Sequence, residues 1–275
     1  MQSKITGGDT TLLFTAKLLN QYNVKYYRCN QTGFIQTEDP YWLNEAYSSA
    51  ITKLDVGLVY RNVDLSDRVS KILVKYFNPA GTFLDYAGGY GLFTRLMRDK
   101  GFDFYNTDKY CQNLFAEYFD LSGLPNDQLF ELTTAFEVLE HLSDPMTEIQ
   151  EALSFADSLL FSTELQPAGI KNVEDWHYFS IETGQHIAFY NIDSLKYIAQ
   201  KLGYNLYTDG SFLHLFTKKS FTKNPFASKK RDSFLLRKAK KYVRRIEEKE
   251  YPMLQRPSLL GQDHDYIKRK LNNKK

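Results

Sequence analysis

The sequence is poor in the residues that would announce a disulfide framework or a zinc site, holding only two cysteines, Cys29 and Cys111, with no CxxC spacing between them. Both are therefore expected as free thiols, and no metal site is expected. Uninterrupted apolar stretches are missing too. No run approaches the roughly 18 residues of a membrane-spanning helix, and the N-terminus lacks the basic, apolar and small-residue order of a secretory leader. A cytoplasmic location is the expectation that follows. No internal repeat is evident, and the ordinary apolar and charged fractions leave little room for extended disorder.

What the chain has in excess is aromatic side chains, 20 Tyr and 20 Phe in 275 residues, which suits a tightly packed interior or an aromatic-lined pocket. The net charge of +2 conceals an asymmetry: residues 218–275 carry 19 Lys or Arg against 6 Asp or Glu, or +13, leaving 2 − 13 = −11 on the rest. A basic segment such as Arg237-Lys238-Ala239-Lys240-Lys241-Tyr242-Val243-Arg244-Arg245 can form an amphipathic helix against anionic lipid at the inner membrane face, or a solvated helix. Nucleic-acid binding is the weaker expectation, because no aromatic-interleaved recognition module accompanies the charge.

Helical periodicity begins near Asp67, where Val69, Ile72, Leu73 and Tyr76 share a face before Asn78-Pro79 ends the run. A short apolar strand, Thr82 to Tyr86, enters the turn Ala87-Gly88-Gly89-Tyr90-Gly91, and a helix from Leu92 to Lys100 closes at Gly101. Strand-like segments recur at Phe104–Thr107, near Tyr118-Phe119, at Leu129–Phe136 and at Ser158–Ser162, with an amphipathic helix on Met146, Ile149 and Leu153. This alternation predicts an α/β fold with a mainly parallel sheet covered by helices on both faces. After a helix from Leu195 to Leu202, strands around Leu206 and Leu213 flank Asp209-Gly210, which predicts a C-terminal antiparallel hairpin.

Three places carry chemistry. The turn after Asp85 combines small residues, which admit a ligand close to the backbone, with a helix N-terminus that offers unpaired N–H groups. A purely structural glycine turn would read the same way. Asp108 stands 108 − 85 = 23 positions further on, at the end of the next strand, where a carboxylate can accept hydrogen bonds from ribose hydroxyls. The dehydrogenase pattern is disfavoured, since Leu92 stands where GxGxxG needs its third glycine.

Over residues 80–217 the sequence resembles the class I S-adenosylmethionine (SAM)-dependent methyltransferases, whose glycine motif reads hydrophobic-acid-x-Gly-x-Gly-x-Gly. The resemblance implies a Rossmann-like, seven-stranded, mostly parallel sheet. It also implies that Asp85, Gly89 and Gly91 shape the pocket for the methionine end of SAM, with Ala87 beside the cofactor in the position of the motif's first glycine, and that Asp108 binds the ribose. Phe119-Asp120 before Leu124-Pro125 resembles the adenine-contacting loop, and Phe136-Glu137-Val138-Leu139-Glu140-His141 the fourth-strand signature. Phe136 and Asp120 are accordingly expected beside the cofactor, with Arg61 available to its carboxylate. Asp120 as a solvated turn acid, Arg61 as an ordinary surface charge and Glu140 with His141 as helix-orienting groups are the structural alternatives.

Tyr41–Tyr47 with Asp55 and Arg61, and Glu182-Thr183-Gly184-Gln185-His186-Ile187, resemble a bacterial branch associated with surface-polysaccharide and other glycan modification. Some relatives carry an N-terminal cysteine pair. Here Gly33 stands where a second cysteine is expected, so no metal site is carried over. The implied reaction is methylation of a sugar or glycan hydroxyl, an in-line displacement in which a base takes the acceptor's proton. His186 is the first choice for that base, His141 the second and Glu137 the third, each with a buried structural role as its alternative. Trp176, Tyr178 and Gln185 are expected to bind the acceptor, or to be core residues. The expected organisation is an N-terminal extension over residues 1–65 whose stretch 41–61 serves as a lid, a SAM-binding domain over 66–218 and a basic helical extension over 219–275. A catalytically silent SAM-binding module and a nucleic-acid-binding protein remain as the two alternatives from other classes.

Overall fold

The computed structural model describes residues 1–47, 52, 54–227 and 256–272. The Arg237–Arg245 run expected as a basic amphipathic helix lies outside the described residues. Within them the chain builds two sheets. The larger is assembled from β4 (Thr82–Tyr86), β5 (Asp103–Thr107), β6 (Leu132–Ala135), β7 (Ser158–Ser162), β9 (Asn205–Thr208) and β10 (Leu213–Thr217). Its spatial order is β5-β4-β6-β7-β10-β9. The first four strands run parallel, and β10 lies antiparallel to both β7 and β9.

Alternation along β7 shows how this sheet is covered. Leu159 and Phe161 pack into one core with Ile149 of α4 (Pro145–Ser154) and Leu195 and Ile198 of α5 (Ile192–Leu202). Leu160 points the other way, into a second core with Leu65, Val69, Ile72 and Leu73 of α2 (Leu58–Tyr76) and Phe93 and Met97 of α3 (Leu92–Asp99). Helices therefore sit on both faces, as successive strand residues face opposite sides. Local signals set the helix ends: Asp144 accepts from the Thr147 N–H with Pro145 in the first turn, Asn191 and Ser194 cap each other, and Gly203 closes α5 at φ 78°.

The larger sheet has six strands among the described residues, not the expected seven. The segment near Tyr118-Phe119 accounts for the difference. Tyr118 takes φ 74°, and the chain touches β5 through one isolated bridge, Asn106 to Asp120, in place of a ladder. A β-propensity pair without neighbours of the same pattern could not sustain a strand.

The smaller sheet, order β1-β2-β3-β8, is antiparallel and comes mostly from the N-terminal region: β1 (Thr10–Leu18), β2 (Tyr22–Cys29) and β3 (Ile35–Thr37), joined by β8 (Ala188–Phe189) from far along the chain. Leu19 and Asn20, at φ 51° and 56°, make the left-handed pair that a tight β1–β2 hairpin requires. Trp42, just before α1 (Leu43–Ala46), is 1% exposed and donates its indole N–H to the Gly184 carbonyl at 2.8 Å. No helix among the described residues is long and apolar enough to cross a membrane.

The C-terminal helix α6 (Leu260–Asn272) is tied to the larger sheet by a buried charge. Asp263, 3% exposed, accepts from Arg98 Nε at 2.9 Å and Nη2 at 2.7 Å, and Arg95 Nη1 stands 2.8 Å away. Arg98, 4% exposed, also donates to the Phe104 carbonyl and lies over the Phe119 ring at 3.6 Å. Removing one partner of a buried pair strands the other charge, so Asp263→Asn is expected to cost about 3 kcal/mol. Urea denaturation measures that loss, and proteolysis should cut near α6 faster than in the wild type.

Candidate active site

Four parallel strands end at one edge of the larger sheet, and the chain leaves each of them carrying a polar or acidic group. Asp85 closes β4 beside Tyr86, Asp108 follows β5, Glu137 follows β6, and Glu164 follows β7. A cavity of about 1260 Å3 opens over this edge, lined by all four. Pockets for one drug-sized ligand run to roughly 300–1,000 Å3, so two ligands side by side fit the space.

At one end the glycine turn shapes the wall. Gly88 packs so closely that a Cβ would fall 2.2 Å from Asn106 Oδ1 and 2.3 Å from Asp85 Oδ2. Gly91, at φ 81°, admits no side chain either, because Asn113 Oδ1 would stand 2.1 Å from its Cβ. Gly89 differs: nothing lies within 4 Å of the position of a Cβ, and its N–H donates to Asp108 Oδ2 at 2.9 Å. Asp108 Oδ1 accepts from the Tyr110 and Cys111 N–H groups, both at 2.7 Å. These backbone bonds fix the carboxylate at the wall, and Oδ2, which accepts only one of them, retains a lone pair for a ligand hydroxyl. The open backbone at Gly89 and the anchored Asp108 carboxylate fit an adenosine-type ligand.

Asp85 is 2% exposed, and burial pushes its carboxyl up to about 7, against the bond from Thr134 Oγ1 at 2.8 Å and with the help of the nearby Asp108 charge.

At the other end stand Glu137, His141 and His186. Glu137 takes φ 55°, a left-handed conformation rare for a residue with a side chain. Ser162 holds it from both sides, accepting from its N–H and donating to Oε1, each at 2.8 Å. Burial raises its carboxyl to about 7, with the Glu140 charge adding to the shift and Ser162 and Arg61 opposing it. Arg61 clasps Asp55 with two bonds, at 2.8 and 2.9 Å, and places Nε 3.7 Å from Glu137 Oε2.

Burial keeps both histidines neutral. It lowers His141, and it takes His186 down to about 3 with His141 adding to the shift. Protonating His186 is therefore costly, which weighs against its place as the first choice of base.

Of the residues singled out in the sequence, Asp85, Ala87, Gly89, Asp108, Phe136, Arg61, Glu137, His141, His186, Tyr178 and Gln185 all line the cavity. Gly91, Asp120 and Trp176 do not. Gly91 starts α3, and Asp120 accepts from Asn113 Nδ2 at 2.8 Å. Trp176, 5% exposed, lies in the core of the smaller sheet and donates to Glu164 Oε1 at 2.7 Å, which corrects its expected place against an acceptor. Tyr178 and Gln185 reach the wall with their polar ends already engaged. The Tyr178 hydroxyl donates to Glu140 Oε1 at 2.7 Å, and Gln185 Nε2 to the Ala46 carbonyl at 2.8 Å. Glu164 and Ser180 were not singled out and line the same wall, as does Thr183, which was read only as part of the stretch 182–187, while Gly88 was read only as part of the glycine turn. Position two residues after β7 was the available signal for Glu164.

A family described as "Methyltransferase domain" matches residues 59–209, just over half of the chain. A comparison with curated protein sequences finds no match. Similar solved structures include a magnesium protoporphyrin IX methyltransferase from Synechocystis PCC 6803 with bound SAH, at 15% identity and TM-score 0.44, covering 64% of this chain and 93% of that one. An O-methyltransferase family 2 protein from Planctomyces limnophilus in complex with apigenin has 13% identity and TM-score 0.40, with 64% and 65% covered. The methyltransferase CalO1 of calicheamicin biosynthesis, in an SAH-bound form, also has 13% identity and TM-score 0.40, with 66% and 60% covered. The chain thus spans less than two thirds of the length of these last two.

The raised Asp85 carboxyl makes a prediction for the ligand-free protein. A group whose folded pKa exceeds its unfolded value contributes stability at low pH that is lost as pH rises, here from about 4 through about 7. Asp85→Asn removes that loss. Its stability relative to wild type, from urea midpoints, should improve by about 2 kcal/mol between pH 5 and pH 8. A difference constant across that range would show that Asp85 titrates normally.

Proposed function

The chain belongs to the methyltransferase-domain family, with SAM as methyl donor, and on that premise we propose that it methylates a hydroxyl of a sugar or glycan precursor. One observation carries the reading: the cavity wall away from the glycine turn is polar, with Glu137, Glu164, His177, Ser180 and Thr183 around it. Such a wall suits an acceptor rich in hydroxyls. Bound at the turn, SAM supplies an electrophilic methyl group.

The chain's own residues do the rest. Asp108 accepts hydrogen bonds from the ribose, and the open backbone at Gly89 lets the methionine end approach. Arg61, drawn toward Glu137 and clasped by Asp55, lies within the cavity to meet a carboxylate. An acceptor hydroxyl loses its proton as its oxygen attacks the methyl carbon in line with the departing sulfur. Glu137 receives that proton, because Ser162 aims its carboxylate at the cavity. His177, with its side chain 80% exposed, and Glu164 beside it at 3.4 Å are placed to bind the sugar ring. The N-terminal stretch 41–61 contributes Leu43, Asn44, Tyr47, Asp55 and Arg61 to the same cavity, which supports a covering role over a water-sensitive displacement.

Calorimetric titration with SAM comes first, where Asp108→Ala is expected to weaken binding roughly 10- to 100-fold, the worth of a lost charge-assisted hydrogen bond or two. With nucleotide sugars and glycan precursors as acceptors, Glu137→Gln should then lower kcat about 10²- to 10⁴-fold while leaving SAM affinity within about 3-fold. Product mass spectrometry locates the methyl group. Methylation of nitrogen or carbon, or equal turnover in Glu137→Gln, would rule out the mechanism as stated.

A further inference from the structure

Beside Glu137, two separate segments bring three metal-ligating side chains together. Glu140 and His141 lie in the turn that follows β6, and His186 precedes β8. One ligand atom from each of the three falls within 4.8 Å of the others. The two imidazole rings stand 4.9 Å apart, nearly perpendicular at 80°.

Their hydrogen bonds fix which ring nitrogen of each histidine is free to ligate. His141 Nδ1 is 3.0 Å from the Gln185 carbonyl and 3.1 Å from the Tyr47 hydroxyl, which can accept as well as donate, and His186 Nδ1 is 2.7 Å from the Tyr178 carbonyl. A carbonyl can only accept, so each Nδ1 carries the proton and each Nε2 keeps its lone pair. A backbone carbonyl behind the protonated ring nitrogen is how ligating histidines are oriented. Glu140 is 0% exposed, its Oε1 accepts from Tyr178, and its Oε2 has no hydrogen-bond partner. The Thr163 hydroxyl lies close to Glu140 without meeting hydrogen-bond geometry. Tyr178 thus orients two of the three groups, Glu140 through its hydroxyl and His186 through its carbonyl. An unpartnered buried carboxylate oxygen next to two imidazole lone pairs is costly unless something electropositive sits among them.

We propose that Glu140, His141 and His186 bind one divalent transition-metal ion at the acceptor end of the cavity. Two imidazoles and a carboxylate suit zinc, manganese, iron or cobalt, whereas calcium calls for six to eight oxygen ligands. Donors around a common ion at about 2.1 Å stand roughly 3 Å apart, so the side chains close inward by about an ångström on binding. His141 and His186 line the cavity, so the remaining coordination positions open toward the acceptor. Neighbouring hydroxyls of a sugar ring would fill them, and the ion would lower the pKa of the hydroxyl it holds. This second step rests on the methyltransferase reading, while metal binding does not. The cysteine pattern, from which no metal site was expected, played no part in it.

The test uses the full chain stripped with chelator, titrated with Co²⁺ while its d–d absorption is followed and with Zn²⁺ by calorimetry. SAM affinity is measured on the same preparation. The wild type should take up a single ion per chain with the spectrum of mixed nitrogen and oxygen ligands. His186→Gln and His141→Gln should bind it at least about tenfold more weakly. Glu140→Gln should do the same while its amide oxygen still accepts from Tyr178, and SAM affinity within about 3-fold of wild type shows each variant folded. Wild type that binds SAM but takes up no ion, or binds it as tightly after these substitutions, overturns the site and leaves Glu140 as a protonated, structural acid. Metal uptake lost in the variants, in a protein that does not bind SAM, would uphold the site and count instead against the methyl donor.

Discussion

The structure depends on one constraint, the parallel register of β4, β5, β6 and β7. Asp85 pairs with Asn106 on one side and Thr134 on the other, and Ala135 with Phe161, so the four strands end level along a single edge. Parallel strands must be joined by crossovers that return behind the sheet, and helices α3 and α4 do this here. Every strand therefore delivers its last residues to the same place. Asp108, Glu137 and Glu164 are far apart in sequence, yet they converge because each follows within two residues of the end of β5, β6 or β7.

Convergence has an electrostatic cost. Burial raises Asp85, Glu137 and Glu140 alike to about 7, and the charges of Asp108 and Glu140 add to the shifts of Asp85 and Glu137 respectively. Each carboxylate has an offsetting donor: Thr134 for Asp85, Ser162 for Glu137, Tyr178 for Glu140. One neutral hydroxyl apiece, with Arg61 reaching Glu137 only at 3.7 Å, is weak compensation for a buried charge. Sites that keep such groups sacrifice stability for ligand chemistry, and the same edge also holds Glu137 and Ala87 at left-handed φ values of 55° and 54°.

Local signals made much of this legible. The run from Thr82 to Gly101 reads as strand, tight turn and helix because apolar alternation, glycine and helical spacing each act within a few residues. What escaped was set at long range. Tyr118-Phe119 has strand propensity, but Phe119 is spent packing against Tyr105 and under Arg98. Trp176, Tyr178 and Gln185 looked like acceptor-binding side chains, and their types are right for it. Their polar ends go instead to Glu164, Glu140 and the Ala46 carbonyl, partners that no local pattern reveals. In the smaller sheet β3 has three residues and β8 two, too short to show a period, whereas β1 with nine and β2 with eight were long enough to read and were not.

That sheet bears directly on how the end of the cavity around His186 is built. Gly184 accepts from Trp42, Gln185 donates to Ala46, and Ile187 donates its N–H to the Glu140 carbonyl at 2.8 Å. The loop carrying His186 is thus fastened on one side to the N-terminal region and on the other to the turn after β6. The glycine turn and Asp108 lie inside the span 59–209 that matches the methyltransferase family, whereas Trp42 and Ala46 lie outside it. A substitution at Trp42 should therefore act on the loop carrying His186 through Gly184 without touching the glycine turn or Asp108. On the proposed reading the topology divides the labour: the parallel edge would fix where the methyl group is presented, and the attached antiparallel sheet would help decide what is presented to it.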